Sequence, residues 1–222
     1  MTDQSTMLYN CLKSAKRSDE IINVFSKYHK VNDTNCQNYI FSHNINIACR
    51  QGCAYCCNIP VEARPYEIFL INTYMKKHFS TKKLTKTMDT LNNHVQFLSK
   101  ITKNEHLSIN SPCPLLAENS CMVYPVRPFA CRAYHALDVS SCQYSFENPS
   151  DLEERRATDH DLDSQWEGVR TSVAAIFQKL GYDTTHNELG TALLHSLQDS
   201  KVQRRWVNKK TAFVQMHTYQ DD

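Results

Sequence analysis

Apolar residues recur at helical spacing through most of this chain, and one long segment breaks the rhythm. From about Ser18 to about Ile40, Ile21, Val24, Phe25, Tyr28 and Val31 fall three or four apart, behind Ser18, Asp19 and Glu20, which suit a helix start. A second helix is predicted from Val61 to about Phe79, with Phe69, Leu70, Tyr74 and His78 on one face. Pro65 sits in its first turn, where a missing N–H costs nothing. Residues 81–101 form an amphipathic helix on Leu84, Met88, Leu91, Val95 and Leu98. Farther on, Trp166, Val169, Val173, Ile176, Phe177 and Leu180 make an apolar stripe that Gly181 stops. Residues 186–206 continue as helix through Leu189, Leu193, Leu197, Val202 and Trp206, and the last residues are expected to fray.

Residues 104–150 follow no such period. Pro112, Pro114, Pro125, Pro128 and Pro149 fall there beside Cys113, Cys121, Cys131 and Cys142. Residues 121–124 read as a short strand and residues 129–135 as a helical turn or two. An irregular stretch of this length in a compact domain is usually functional or fixed by something else, and a metal would fix it. No repeat, low-complexity tract or linker interrupts the chain. The expected fold is mostly α: a single helical domain over residues 1–222, with irregular cysteine-rich loops around a metal centre at about residues 44–146.

Composition narrows the function classes. With a net charge of +2, the chain gives no electrostatic case for nucleic acid. Its four glycines, Gly52, Gly168, Gly181 and Gly190, cannot assemble a dinucleotide-binding fingerprint or a phosphate-cradling loop. No secretory leader and no membrane-length apolar run is visible, so a soluble cytoplasmic protein is expected. In that compartment thiols stay reduced, and ten cysteines read as metal ligands or redox groups before disulfides.

Four of those thiols stand within nine residues, at Cys49, Cys53, Cys56 and Cys57. Cys53 and Cys56 have the C-x₂-C spacing that lets one loop grip one ion, and Gly52 lets the backbone turn just before them. Further ligands come from Cys57 or Cys49 nearby and from Cys113, Cys121 or Cys131 in the distal segment. A site shared between the segments would pin the proline-rich stretch onto the first loop. All-cysteine coordination suits both zinc and iron–sulfur clusters. Six to eight clustered thiols exceed the needs of one zinc, which tilts the reading toward an iron–sulfur cluster and leaves two zinc sites or a metal-transfer surface as alternatives. Cys142 lacks a chelating neighbour and is read at the margin of the site. Cys11 and Cys36 stand alone on predicted helices and read as ordinary thiols.

The run Cys49-x₃-Cys53-x₂-Cys56-Cys57, then Cys113-Pro-Leu-Leu, then Cys121-Met-Val-Tyr-Pro-Val-Arg-Pro-Phe-Ala-Cys131-Arg resembles the CxxCxxCC cysteine-cluster family, also called YkgJ-like, a zinc- or iron-chelating domain. The resemblance covers roughly residues 49–142 and departs from the pattern in the three-residue gap between Cys49 and Cys53. It implies chelation by Cys53, Cys56, Cys57, Cys113, Cys121 and Cys131, and implies little about reaction. Flagellin lysine methylases carry a similar cluster associated with iron–sulfur chemistry, which opens an enzymatic alternative. A zinc-stapled interaction module is a third.

Around the thiols, Arg127 and Arg132 are candidates to offset thiolate charge. Tyr124 and Tyr134 are expected to pack, and His135 to be hydrogen-bonded or exposed. The acidic residues Asp151, Glu153, Glu154, Asp159, Asp161 and Asp163 read as a solvated helix face. Lys82, Lys83, Lys86, Lys201, Arg204, Arg205, Lys209 and Lys210 read as solvent-facing too. The expected role is metal handling, redox work or support of a partner enzyme, with an unidentified protein as partner and neither nucleic acid nor membrane.

Overall fold

A computed structural model describes residues 3–50, 52–153, 156–214 and 216–220. Ten α-helices carry the described residues, with four strands of two residues each, so the fold is mostly α. Helix α1 (Asp3–Ser14) precedes the long α2 (Ser18–Ser42). The start of α2 is fixed by Glu20, whose carboxylate accepts from the Lys16 and Arg17 amides at 2.8 and 3.1 Å. The buried face of α2 is Ile21, Ile22, Phe25, Tyr28, His29, Asn32 and Cys36. That face differs from the expected stripe: Val31 is 41% exposed, while the polar His29 and Asn32 are inside.

The helix expected from Val61 starts later. Strand β1 (Glu62–Ala63) pairs antiparallel with β4 (Asn187–Glu188), and α3 (Pro65–His78) begins at Pro65. Proline explains the delay, because it disfavours helical backbone in the residue before it. Helix α4 (Thr81–Leu98) follows as expected, capped by Ser80. The proline-rich segment is irregular but structured. It holds α5 (Lys103–Leu107), the hairpin of β2 (Leu116–Ala117) and β3 (Ser120–Cys121), α6 (Phe129–Ala133) and α7 (Val139–Glu147). The strand expected over residues 121–124 stops at Cys121 and gives way to a 3-10 turn, Tyr124–Val126.

Helix α8 (His160–Lys179) ends at Gly181, which takes φ +83°. The acidic run does not form one helix face. Asp151 and Glu153 lie in irregular backbone, Asp159 caps α8, Asp161 and Asp163 fill its first turn, and Glu154 lies outside the described residues. The helix expected over residues 186–206 is broken. Strand β4 is followed by α9 (Leu189–Gln198) and α10 (Ser200–Val207), hinged at Asp199, whose side chain caps α10. The described C-terminal residues are docked rather than frayed. Ala212, Phe213 and Thr218 are buried, Tyr219 hydroxyl lies 3.0 Å from His106 Nδ1, and Gln220 N donates to Ile101 O.

One core joins these elements, and rings dominate its centre. Tyr66 stacks on Phe177 at 4.3 Å, Phe25 meets Tyr66 edge-on at 4.9 Å, and Tyr182 lies 4.7 Å from Trp206. Phe129 of α6 inserts between Phe25 and Trp166, so the core itself anchors the distal cysteine segment. No helix among the described residues is long and apolar enough to cross a membrane.

Candidate metal centre

The first cysteine loop leaves α2 at Asn44, whose φ of +53° ends the helix. Gly52 takes φ +87°, the left-handed turn its lack of a side chain permits, and Cys53 N then donates to Arg50 O at 3.0 Å. A 3-10 turn (Tyr55–Asn58) carries Cys56 and Cys57. Backbone bonds tie the loop to the distal segment: Cys113 N donates to Cys57 O at 2.7 Å, Ser111 N to Asn58 O at 2.9 Å, and Ala48 N to Ala136 O at 2.8 Å. The β2–β3 hairpin then holds Cys121 near Cys113, with Leu116 opposite Cys121.

Helix α6 positions Cys131. Its first amide, Phe129 N, donates to Glu67 Oε1 at 2.7 Å, while Glu67 Oε2 accepts from Arg64 N at 2.9 Å at the start of α3. One buried carboxylate thus serves two helix N-termini. Burial pushes its pKa up, and the amides work against that.

Eight thiols gather in one region, and Cys56 is the hub of their electrostatics. The Cys57 thiol, hydrogen-bonded to it, and burial push the Cys56 thiol up. Burial raises Cys113 to about 12, with Cys121 and Cys56 adding to the shift. Burial likewise raises Cys131, with Cys113, Cys121 and Cys56 adding, and raises Cys121 and Cys49. Cys142, buried on α7, is raised to about 11 by burial and then by Cys49, Cys53 and Cys56. The structure therefore brings together Cys49, Cys53, Cys56, Cys57, Cys113, Cys121 and Cys131. It also places Cys142, which has no chelating neighbour along the chain, within electrostatic reach of Cys49 and Cys53. Cys11 is exposed on α1, and Cys36 is buried on α2 with its Sγ 3.9 Å from His135 Nε2.

The two arginines divide their work. Arg132 is buried and turned to α2: Nε donates to His29 Nε2 at 3.0 Å, one terminal nitrogen meets the Asp33 carboxylate, and the other donates to Pro125 O at 2.7 Å. It buttresses the turn between Cys121 and Cys131. Arg127 stacks over the ring of Tyr124 at 4.0 Å, and its charge favours the thiolate forms of Cys49, Cys56, Cys121 and Cys131. Tyr124 is 57% exposed, and Tyr134 lies under the Arg156 guanidinium. His135 Nε2 accepts from Trp166 Nε1 at 3.0 Å, which occupies the lone pair a metal would need.

Whether these residues fit a metal turns on their chemistry. Among the described residues, no group of three or more His, Cys, Asp or Glu side chains is arranged to hold one ion as it stands. The thiols share a region without converging on a point. The donor set is nevertheless one that thiophilic metals select, and as thiolates in a half-buried setting these groups would need cationic compensation. Arg127 Nε is the one buried side-chain nitrogen or oxygen without a hydrogen-bond partner among the described residues, and it belongs to the cation whose charge these thiols feel. A buried N–H donor with no acceptor, in the turn between two cysteines that would become anionic on coordination, fits a metal–thiolate centre.

Sequence reasoning passed over Glu188, Asp33 and His29. Glu188 adds to the raising of the Cys113 thiol and bonds His94 at 3.1 Å. Neither fact has a signature in local spacing. His29 did have one, since it continues the i, i+4 series from Phe25.

A helical scaffold holding eight thiols from two chain segments defines a cysteine-cluster protein. The model of the CxxCxxCC family, described as "Putative zinc- or iron-chelating domain", matches residues 48–159, just over half the chain, and the protein belongs to that family. Metal binding, of zinc or iron, is what the family description assigns. No similar curated protein and no similar solved structure was found.

Proposed function

We propose that this protein carries an iron–sulfur cluster, with zinc as the competing occupant, on thiolates drawn from both cysteine segments. Cys56, Cys113, Cys121 and Cys131 are its principal ligands, with Cys53, Cys57 and Cys49 completing the set. The observation that carries this reading is the 2.7 Å bond from Cys113 N to Cys57 O, which ties the two thiol-bearing segments together. The number of thiols supports iron over a single zinc, because a closed tetrahedral zinc takes four.

The protein's own part is to gather, orient and compensate. Glu67 and the Phe129 ring hold α6 and therefore Cys131. Gly52 and the Cys57–Cys113 bond set the first loop against the hairpin. Burial keeps the raised thiols protonated until a metal displaces those protons, so loading is favoured by rising pH. A bound cluster would supply one-electron chemistry and a zinc ion a structural clamp; either suits a redox or metal-handling role alongside a partner protein.

The test is metal and acid-labile sulfide analysis, with an absorption spectrum, on protein purified without oxygen. Iron with sulfide and a broad band near ~400 nm, typical of thiolate-bound clusters, supports the cluster. Colourless protein with tightly held zinc transfers the proposal to a zinc clamp. Protein that takes up neither metal on reconstitution overturns it.

A further inference from the structure

The turn between Cys121 and Cys131 is built around two arginines, and only one has its hydrogen bonds accounted for. Arg132 has four nearby partners: His29, Asp33, Pro125 O and Arg127 O. Arg127 has no carboxylate partner among the described residues, and its Nε–H is buried and unpaired. Leaving such a donor unpaired is unfavourable, because it loses water without gaining an acceptor. The Tyr124 ring beneath it holds the guanidinium plane but accepts no bond from an in-plane N–H. Of the groups that feel the Arg127 charge, four are thiols of the candidate centre. A neutral thiol is a weak acceptor, whereas a coordinated thiolate is a strong one. Arg127 lies in the turn that joins Cys121 of β3 to Cys131 of α6, so the unpaired donor sits on the stretch of backbone that carries two of those thiols.

We infer that Arg127 is a positioning and tuning residue of the metal centre, its Nε–H donating to a coordinated thiolate and its charge offsetting that of the thiolate set. This rests on the metal-binding reading above. Arg127 would act through the ligands without touching the metal, and Tyr124 would fix its plane. Metal binding would then satisfy a donor that the metal-free chain leaves unpaired, so Arg127 contributes to affinity while contributing nothing to metal-free stability.

That sign is the test. Wild type, Arg127→Met and Arg127→Lys are reconstituted with cobalt(II), and cobalt is competed off with a chelator of known affinity while the sulfur-to-cobalt charge-transfer band is recorded. The melting temperature of each metal-free protein is measured alongside. Arg127→Met is expected to weaken cobalt about 10- to 100-fold, as outer-shell losses commonly do. It should move the charge-transfer band to longer wavelength and leave the metal-free melting temperature unchanged or higher. Arg127→Lys keeps a cation without the Nε donor and should fall between. Unchanged affinity and band in Arg127→Met overturn the inference. So does a lower metal-free melting temperature with a wild-type band, which is the mark of a purely structural arginine. If Arg127→Met does not fold, Arg127→Lys decides: wild-type affinity and band in that variant overturn the inference, and a weakened, red-shifted site supports it. Failure of wild type itself to take up cobalt, zinc or iron would instead bring down the metal-binding reading and this inference with it.

Discussion

At the scale of single residues, what a side chain does is decided by its surroundings more than by its type. Ten cysteines share one chemistry, yet Cys11 is exposed on a helix while Cys56 sits among thiols that raise one another. Replacing Cys56 with serine is expected to strip most of the metal and to lower the melting temperature of the loaded protein toward that of the metal-free one. Cys11→Ser should shift stability by less than about 0.5 kcal/mol, as surface changes do. Metal content and thermal melts of the two variants check both statements. A second prediction concerns His29. Burial, then the Arg132 charge, hold its pKa down at about 3, so the folded chain keeps it neutral while the unfolded chain takes up a proton below about pH 6.5. A depressed pKa means stability is fullest above pH 6.5 and is lost as pH falls through that window. The contribution between pH 7 and pH 5 is about 2 kcal/mol. Denaturant titrations of metal-free wild type and His29→Gln at the two pH values should show a shallower pH slope in the variant, and an equal slope would remove His29 from the account.

Elements meet through a few shared polar groups. Glu67 accepts from the N-termini of α3 and α6 at once, and Glu188 caps α9 through the Gly190 and Thr191 amides while bonding His94 of α4. Glu67→Gln keeps the shape but only one amide-accepting oxygen, which should cost about 1–3 kcal/mol of stability by denaturant unfolding. It should also loosen metal retention, because Cys131 rides on α6. Gly190 has a different reason to be small. A Cβ there would stand 2.5 Å from the His94 ring and 3.1 Å from Pro114, the residue after Cys113. Gly190→Ala is expected to displace His94 from Glu188 and destabilise by about 1–3 kcal/mol, the usual cost of overpacking. An unchanged melting temperature would show that the ring yields freely.

For the molecule as a whole, chain ends and distant loops are integrated into one core. Truncation after Lys210 removes Ala212 and Phe213 from the interior and the Tyr219 contact with His106. Burying a large apolar side chain such as Phe213 is worth about 1.5–3 kcal/mol, so a loss of several degrees in melting temperature is expected. A truncated chain that melts with the full one would show the tail to be dispensable.

The sequence by itself determined the helical content, because periodicity of apolar residues needs no tertiary information. It also marked Gly52 as a turn and Gly181 as a helix stop, and singled out the cysteines of the candidate site, since chelate spacing is a local property. What tertiary structure decided was non-local. The break between β4, α9 and α10 follows from pairing β4 with β1, more than a hundred residues away, and from the Asp199 cap. The docking of the C-terminal tail depends on surfaces supplied by α5 and the core. Cys142 reached Cys49 and Cys53 only through the packing of α7 on the first loop, and no spacing along the chain records that proximity. Arg127 and Arg132, five residues apart and alike in sequence, were separated by the folds of their partners. One found the α2 acceptors, and the other was left with a buried, unpaired Nε–H in the turn between Cys121 and Cys131.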